Sequence, residues 1–258
     1  MLIGSEAFYD RLARFYDVMN DWESRLAHEG PFIRRILDSH GARRVLDVAC
    51  GTGRHALALR QWGYEAIGAD ASPQMIRQAQ ANALAARLEV PFVVATFEAL
   101  PQVPGAPFDA VLCLGNSLPH VTDLAALDAA LTAMKQAVRP GGVVLLHNLN
   151  YDRRWVQRPR FFKLDAGVLD GHEVLVWRMA DYGESTIIFH TALFQKDAAG
   201  QWSVEVNSTL QWPLFRADLE ERLLRAGFEQ IRAYGSLQGE PFDSQRSEDL
   251  VMTAVAPF

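Results

Sequence analysis

A chain of 258 residues, 49% hydrophobic and 22% charged, is long enough for one elaborated α/β domain and has the balance of a soluble globular protein rather than a disordered one. The formal net charge of −6 argues against a nucleic-acid partner, whose phosphates would want a basic face, and no apolar run reaches the roughly 20 residues of a membrane span. The N-terminal MLIGSEAFYDRLARFYD lacks the basic-then-apolar order of a signal peptide, so a cytoplasmic location is the default expectation.

Residues 6–40 carry apolar side chains at helical spacing, with Phe8, Leu12, Phe15 and Tyr16 first and Phe32, Ile33, Ile36 and Leu37 after Pro31. They predict two or more helices, an N-terminal lid over 1–40. From Val45 the pattern alternates: strand 45–49, helix 53–62, strand 64–69, helix 73–85, strand 91–95, strand 109–114, helix 123–138, strand 142–147. Strands separated by such helices make right-handed crossovers, so 41–150 is expected to be a doubly wound, mostly parallel, Rossmann-like cofactor-binding core. After Asn150, EVLVWRM, STIIFHTALFQ and WSVEVNSTLQW read as antiparallel strands, an inserted β-rich cap over 151–213. The basic cluster RRWVQRPR at 153–160 is either a solvated loop or a seat for an anionic substrate. Over 214–258 a helix at 216–226 ends at Gly227, and FEQIRAYGSL and DLVMTAVA follow. The link PFDSQRSE is too short for a parallel crossover, so these two close a seven-stranded sheet as an antiparallel pair. The whole chain, 1–258, reads as one domain.

Cys50 and Cys113 end apolar runs and read as small buried residues, not a disulfide. The seven histidines are scattered without HxxxH or CxxC spacing, and no metal site is expected.

The stretch most informative about chemistry is VLDVACGTGRHALAL at 45–59. Gly51 and Gly53 directly after a strand let the backbone approach a ligand at a helix N-terminus, and Asp70, ending the next strand, can take both hydroxyls of a ribose. On spacing alone this fits a nicotinamide dinucleotide or S-adenosylmethionine; Ala56, at the third position of the dinucleotide pattern, excludes neither. Asp47 before the turn separates them. A carboxylate there repels a pyrophosphate and favours a methionine ammonium and sulfonium.

LDVACGTGRHALAL, GADASPQMI and FDAVLCLGNSLPH resemble a class I S-adenosylmethionine-dependent methyltransferase, strongly over about 40–150. Within that superfamily CGTG, CLGNSLPH and the NYD at 150–152 look like the glycine and glycine/sarcosine N-methyltransferases. The resemblance implies that Asp47, Ala49, Gly51 and Gly53 surround the methionine part, with Arg25 on the cofactor carboxylate and Leu114 giving a backbone contact to its amine. It implies further that Asp70 holds the ribose, that Ala71 or Met75 packs near the adenine, and that Thr96 and Phe97 meet the adenine edge and face. Asn116 is implied as a hydrogen-bonding partner of the substrate; His120 is either a packing residue or a base. Tyr9, Tyr16, Tyr151 and Trp155 are candidate pocket walls, with Tyr151 grouped among the catalytic candidates.

Methyl transfer from a sulfonium is an in-line displacement that needs positioning and exclusion of water, not a covalent intermediate or a metal. The loop reads NSLP, not the Asn-Pro-Pro-Tyr of methyltransferases acting on adenine or glutamine amides, and with the acidic charge and the cap this points to a small-molecule acceptor. The resembled family has an Arg before Asn-Tyr-Asp that grips the glycine carboxylate; here the residue is Leu149. Either an Arg of the 153–160 cluster substitutes or the substrate is larger and less acidic. An amine acceptor is expected, with O-methylation, a catalytically silent cofactor-binding partner and a nicotinamide oxidoreductase as alternatives.

Overall fold

The computed structural model describes residues 2–258. Five parallel strands form its centre: β1 (Arg44–Val48), β2 (Glu65–Asp70), β3 (Phe92–Val94), β4 (Phe108–Cys113) and β5 (Val138–Leu149). They are joined by α3 (Arg54–Gln61), α4 (Pro73–Ala86) and α5 (Leu124–Ala137), and β10 (Glu229–Tyr234) and β11 (Asp249–Val255) complete a seven-stranded sheet after α7 (Arg216–Arg225). The order is β10-β11-β5-β4-β1-β2-β3, and β11 runs antiparallel to both its neighbours, the closing pair expected from the short link. Strands such as β1, buried at four of five positions, are covered by helices on both faces, and Asp47 is the buried acid within its otherwise apolar VLDV. Two apolar clusters, one on each side of the sheet, carry the core. The connections run one way from β1 to β2 and β3 and the other way to β4 and β5. The crevice between β1 and β4 is therefore the switch point at which such sheets bind ligands.

The helix starts follow local chemistry. Ser72 accepts the Met75 N–H at 3.1 Å with Pro73 in the first turn of α4, and Asp123 accepts the Ala126 N–H at 2.8 Å at the start of α5. Before the core lie α1 (Ser5–Leu12), a 3₁₀ segment (Ala13–Met19) and α2 (Trp22–Ser39). α2 runs unbroken through Pro31, so the apolar run beginning at Phe32 is its second half and not a separate helix. Two lid carboxylates fasten this segment to the core. Asp10 accepts from the Ser72 hydroxyl at 2.6 Å, and Asp17 accepts from the Thr52 hydroxyl at 2.6 Å and from Arg54 at 2.6 Å.

The cap is a four-stranded antiparallel sheet, β6 (Asp165–Leu169), β7 (His172–Tyr182), β8 (Ile187–Lys196) and β9 (Trp202–Gln211) in sequential order. β6 is not among the strands expected from sequence. Its signal is the pair Asp170-Gly171, both at positive φ, which makes the two-residue turn into β7. The first five residues of the basic cluster at 153–160 are also helical, in α6 (Tyr151–Gln157), because the Asn150 side chain caps it by accepting the Arg153 N–H at 3.3 Å.

Candidate active site

The loop after β1 is held in a conformation that its residue types only partly advertise. Gly51 and Gly53 take φ of 54° and 77°, and Ala49 takes 51°, a region that costs a side-chain-bearing residue energy. Asn116, after β4, is the second such residue at the switch point, with φ of 65°. The loop is tied down by Asp70, which accepts the Gly51 N–H and the Ser72 N–H, both at 2.8 Å, one on each oxygen. Each oxygen keeps a lone pair for a further donor. Burial raises the Asp70 carboxyl above its usual range, while these two amides pull it back.

Along this loop runs a groove whose walls include Ala49, Gly51, Asp70, Ala71, Met75, Thr96 and Phe97. It narrows into a small space lined by Asp47, Leu114, Arg25 and Gly115, with Ala49 and Tyr16 common to both. Gly53 lines neither. A Cβ there would lie 2.7 Å from the Phe92 ring and 2.9 Å from Ala79, so its smallness lets α3 and α4 pack against β3.

Asp47 is buried, and its Oδ2 has no hydrogen-bond partner. Burial and the nearby Asp70 push its carboxyl up to about 8. Without a bound cation beside it Asp47 therefore holds its proton at neutral pH, and the carboxylate expected from sequence forms when such a cation arrives. Arg25 is pinned by donating to Glu29 at 2.7 Å and Asn20 at 3.1 Å while lying over the Trp22 ring at 4.9 Å. Glu29 also meets His55 Nε2 at 2.7 Å, and these partners outweigh its burial and lower its carboxyl to about 2.

Beside the groove is a second cavity, of about 380 Å³, between the lid, the core and the cap. Tyr9 and Tyr16 line both spaces and form the junction. Asn116 lines the cavity, accepting the Leu149 N–H at 3.0 Å and donating to the Tyr151 hydroxyl at 3.0 Å. Tyr151 donates on to Gln211 at 3.4 Å, and the Gln211 amide and the Tyr9 hydroxyl both reach His120 Nε2, at 3.2 and 2.9 Å. An amide nitrogen can only donate, so Nε2 accepts and the proton sits on Nδ1. Burial lowers His120 to about 4, which keeps it neutral, and it raises the hydroxyls of Tyr9, Tyr16 and Tyr151. This chain of neutral groups runs from the cavity to the groove wall where His120 sits, outside the cavity itself.

Trp155, expected as a pocket wall, packs instead against Tyr182 and Phe215. Among the residues not expected from sequence that face the cavity are the polar side chains of Glu29, Arg178, Thr191 and Gln211. Among the described residues no group of three or more His, Cys, Asp or Glu could hold a metal, and no helix is long and apolar enough to cross a membrane.

Three features fit S-adenosylmethionine. They are Asp70, with two free acceptors at the end of β2, the orphaned Asp47 oxygen in a space that could take an ammonium, and Gly51, which lines the groove with backbone alone. Fold and groove together define a doubly wound α/β enzyme that binds an adenosyl cofactor at its switch point. A family model described as "Methyltransferase domain" matches residues 45–142. The glycine/sarcosine N-methyltransferase of Parasynechococcus marenigrum is 31% identical over 90% of this chain and 78% of its own length, and that of Halorhodospira halochloris 28% over 91% and 83%. The solved sugar N-methyltransferase of Streptoalloteichus superposes with a TM-score of 0.72 at 26% identity, covering 90% of this chain and 88% of that one. The chain belongs to the S-adenosylmethionine-dependent methyltransferases, as a relative of the glycine/sarcosine N-methyltransferases. It is an enzyme, and S-adenosylmethionine is its cofactor.

Proposed function

We infer that the enzyme methylates the nitrogen of a small molecule held in the cavity between lid and cap. The observation that carries this reading is the junction: Tyr9 and Tyr16 wall both the cofactor groove and the cavity, so an acceptor in one faces a methyl donor in the other. When bound, the cofactor supplies an electrophilic methyl on a sulfonium. The residues of the chain bind, orient and exclude water. Asp70 takes the ribose hydroxyls, Asp47 faces the ammonium, and Arg25 the carboxylate. Thr96 and Phe97 hold the adenine. Around the acceptor, Asn116, Tyr151 and Gln211 offer neutral polar groups whose positions are fixed by their hydrogen bonds to one another and to His120 on the groove wall. None of them is an ionised base, so the amine enters as the free base and the protein contributes placement.

Named relatives that methylate nitrogen, glycine and sarcosine in one case and a sugar in the other, support nitrogen over oxygen. The test is adenosylhomocysteine formation against small amines and the alcohols matching them. Turnover of amines with the alcohols inert is expected. Turnover of the alcohols alone would move the reading to O-methylation.

A further inference from the structure

Resting on that N-methylation reading, one feature of the cavity says what kind of amine it receives. Its cap-side wall carries Arg154 from α6 and Arg178 from β7, and in both the Nε is buried with no hydrogen-bond partner. The two are joined through Phe162. The Arg154 guanidinium lies 5.6 Å over its ring, and its N–H donates to the Arg178 carbonyl at 3.1 Å. Neighbouring arginines are neutralised, Arg153 by Glu248, Arg160 by Asp181 at 2.9 Å and Arg178 itself by Asp165 at 2.7 Å. Arg154 has no carboxylate partner among the described residues.

A guanidinium is ionised at every accessible pH, so an orphaned buried N–H on one cannot be relieved by losing its proton. The only carboxylate on the cavity wall is Glu29, already engaged by Arg25 and His55. Counting Asp165 as well, arginines outnumber carboxylates by one around this space. That surplus suits a monoanion better than a phosphate dianion, and a planar guanidinium pairs with a carboxylate in a fork. Position 149, a leucine, offers no cation, and its N–H is spent on Asn116. The cavity holds about the volume of a dozen liquid waters, more than glycine's five heavy atoms fill. Phe162, Phe189 and Ile187 give apolar wall for a larger body.

We propose that the methyl acceptor is an amine larger than glycine that carries one carboxylate, and that Arg154 and Arg178 seat this carboxylate on the cap side while the nitrogen lies at the Tyr9–Tyr16 junction. The seat makes the cap, not the core, the part of the enzyme that chooses the substrate.

The test follows adenosylhomocysteine release with glycine, phenylalanine, 4-aminobutyrate and anthranilate, each beside its carboxamide, and with glucosamine as an uncharged-head amine. At least one of the longer acids is expected to exceed both glycine and its own carboxamide by about 10- to 100-fold in kcat/KM, as loss of hydrogen bonds to a charged group implies. Arg154→Gln should bring that ratio towards one and Arg154→Lys should retain part of it. The double variant Arg178→Gln with Asp165→Asn removes the second cation without stranding its carboxylate, and should act like Arg154→Gln. Cofactor affinity, read by calorimetry, should stay unchanged in all three. Carboxamides or glucosamine used as well as the acids, or an acid preference that survives both neutral replacements, would overturn the seat while leaving N-methylation intact. Binding of the acids to the adenosylhomocysteine-loaded enzyme is the second readout. Acids that bind through the arginines but accept no methyl would sink the N-methylation reading and leave the seat standing, whereas acids that neither bind nor react would overturn the seat.

Discussion

The groove and the cavity share two tyrosines but are built in opposite ways. The groove is assembled largely from strand-end loops around Gly51, Asp70 and Thr96, joined by Tyr9, Tyr16 and Arg25 from the lid, and the loop conformations are set by local turns and by two amides on one carboxylate. The cavity is assembled from a lid at the start of the chain, loops after β4 and β5, and a cap sheet more than a hundred residues from the cofactor loop. Such a division lets the cofactor half stay constant while the acceptor half varies. Core variants should thus alter cofactor binding, and cap variants should alter turnover and selectivity.

The largest effect is expected from Asp70→Ala. It removes the proposed ribose acceptor and unties the Gly51 and Ser72 amides. Two hydrogen bonds to a charged group contribute about 1.5–3 kcal/mol each, so calorimetry should find S-adenosylmethionine affinity reduced by about 100-fold or more. Unchanged affinity would remove the groove from the account.

Gly53→Ala tests the core half for rigidity without touching a cavity wall. A Cβ at φ of 77°, placed 2.7 Å from Phe92, combines backbone strain with overpacking and should cost about 2–4 kcal/mol of stability. A fall in Tm with a selectivity like that of the parent enzyme would sharpen the division between the halves. A change in acceptor preference would blur it.

Tyr151→Phe addresses the cap-side network. Removing the hydroxyl leaves the Asn116 amide and the Gln211 carbonyl without their buried partner, a loss of about 1–2 kcal/mol. Steady-state kinetics should show kcat down about tenfold, with cofactor affinity intact. A weakened cofactor affinity would show that the two halves are coupled through His120.

A smaller effect concerns protons. The Asp47 carboxyl, ordinarily at 3.8, is raised to about 8 in the folded enzyme. The folded state therefore keeps a proton that the unfolded chain releases above its ordinary value. Through this group, stability should fall as pH rises across the window from about 4 to about 8. A cofactor ammonium at Asp47 favours the ionised form, so at pH 6.5 binding should release up to one proton and strengthen as pH rises towards 8. Calorimetry in buffers of different ionisation enthalpy measures this release, which Asp47→Asn should abolish. Binding without proton release in the parent enzyme would place the ammonium elsewhere.

The contrast between the halves also explains what could be read from the sequence. Strand-turn-helix units announce themselves within about ten residues, so the doubly wound core, the Gly51 turn and Asp70 were legible from VLDVACGTG and GADASP. The positive φ of Ala49 and Asn116 was not, because neither residue type demands it. In the cap, alternation shows that β7 and β8 have two faces but not which one meets the lid. Arg178, Thr191 and Gln211 therefore gave no sign of facing a cavity; only the register of β7, β8 and β9 against the N-terminal helices settles it. Leu149 was informative in a negative sense, as an apolar residue where a carboxylate-binding one belongs in the resembled family. The cations proposed to answer it, Arg154 and Arg178, sit on α6 and β7.

The measurement that bears most directly on the account is the fate of a carbon-13-labelled methyl. The enzyme would be supplied with methyl-labelled S-adenosylmethionine and the carboxylate-bearing amines, and the product read by carbon NMR together with adenosylhomocysteine. The expected result is an N-methyl signal on one of these acids, one label per adenosylhomocysteine formed. An O-methyl signal, or cofactor that binds while its label stays on sulfur with every amine offered, would contradict it.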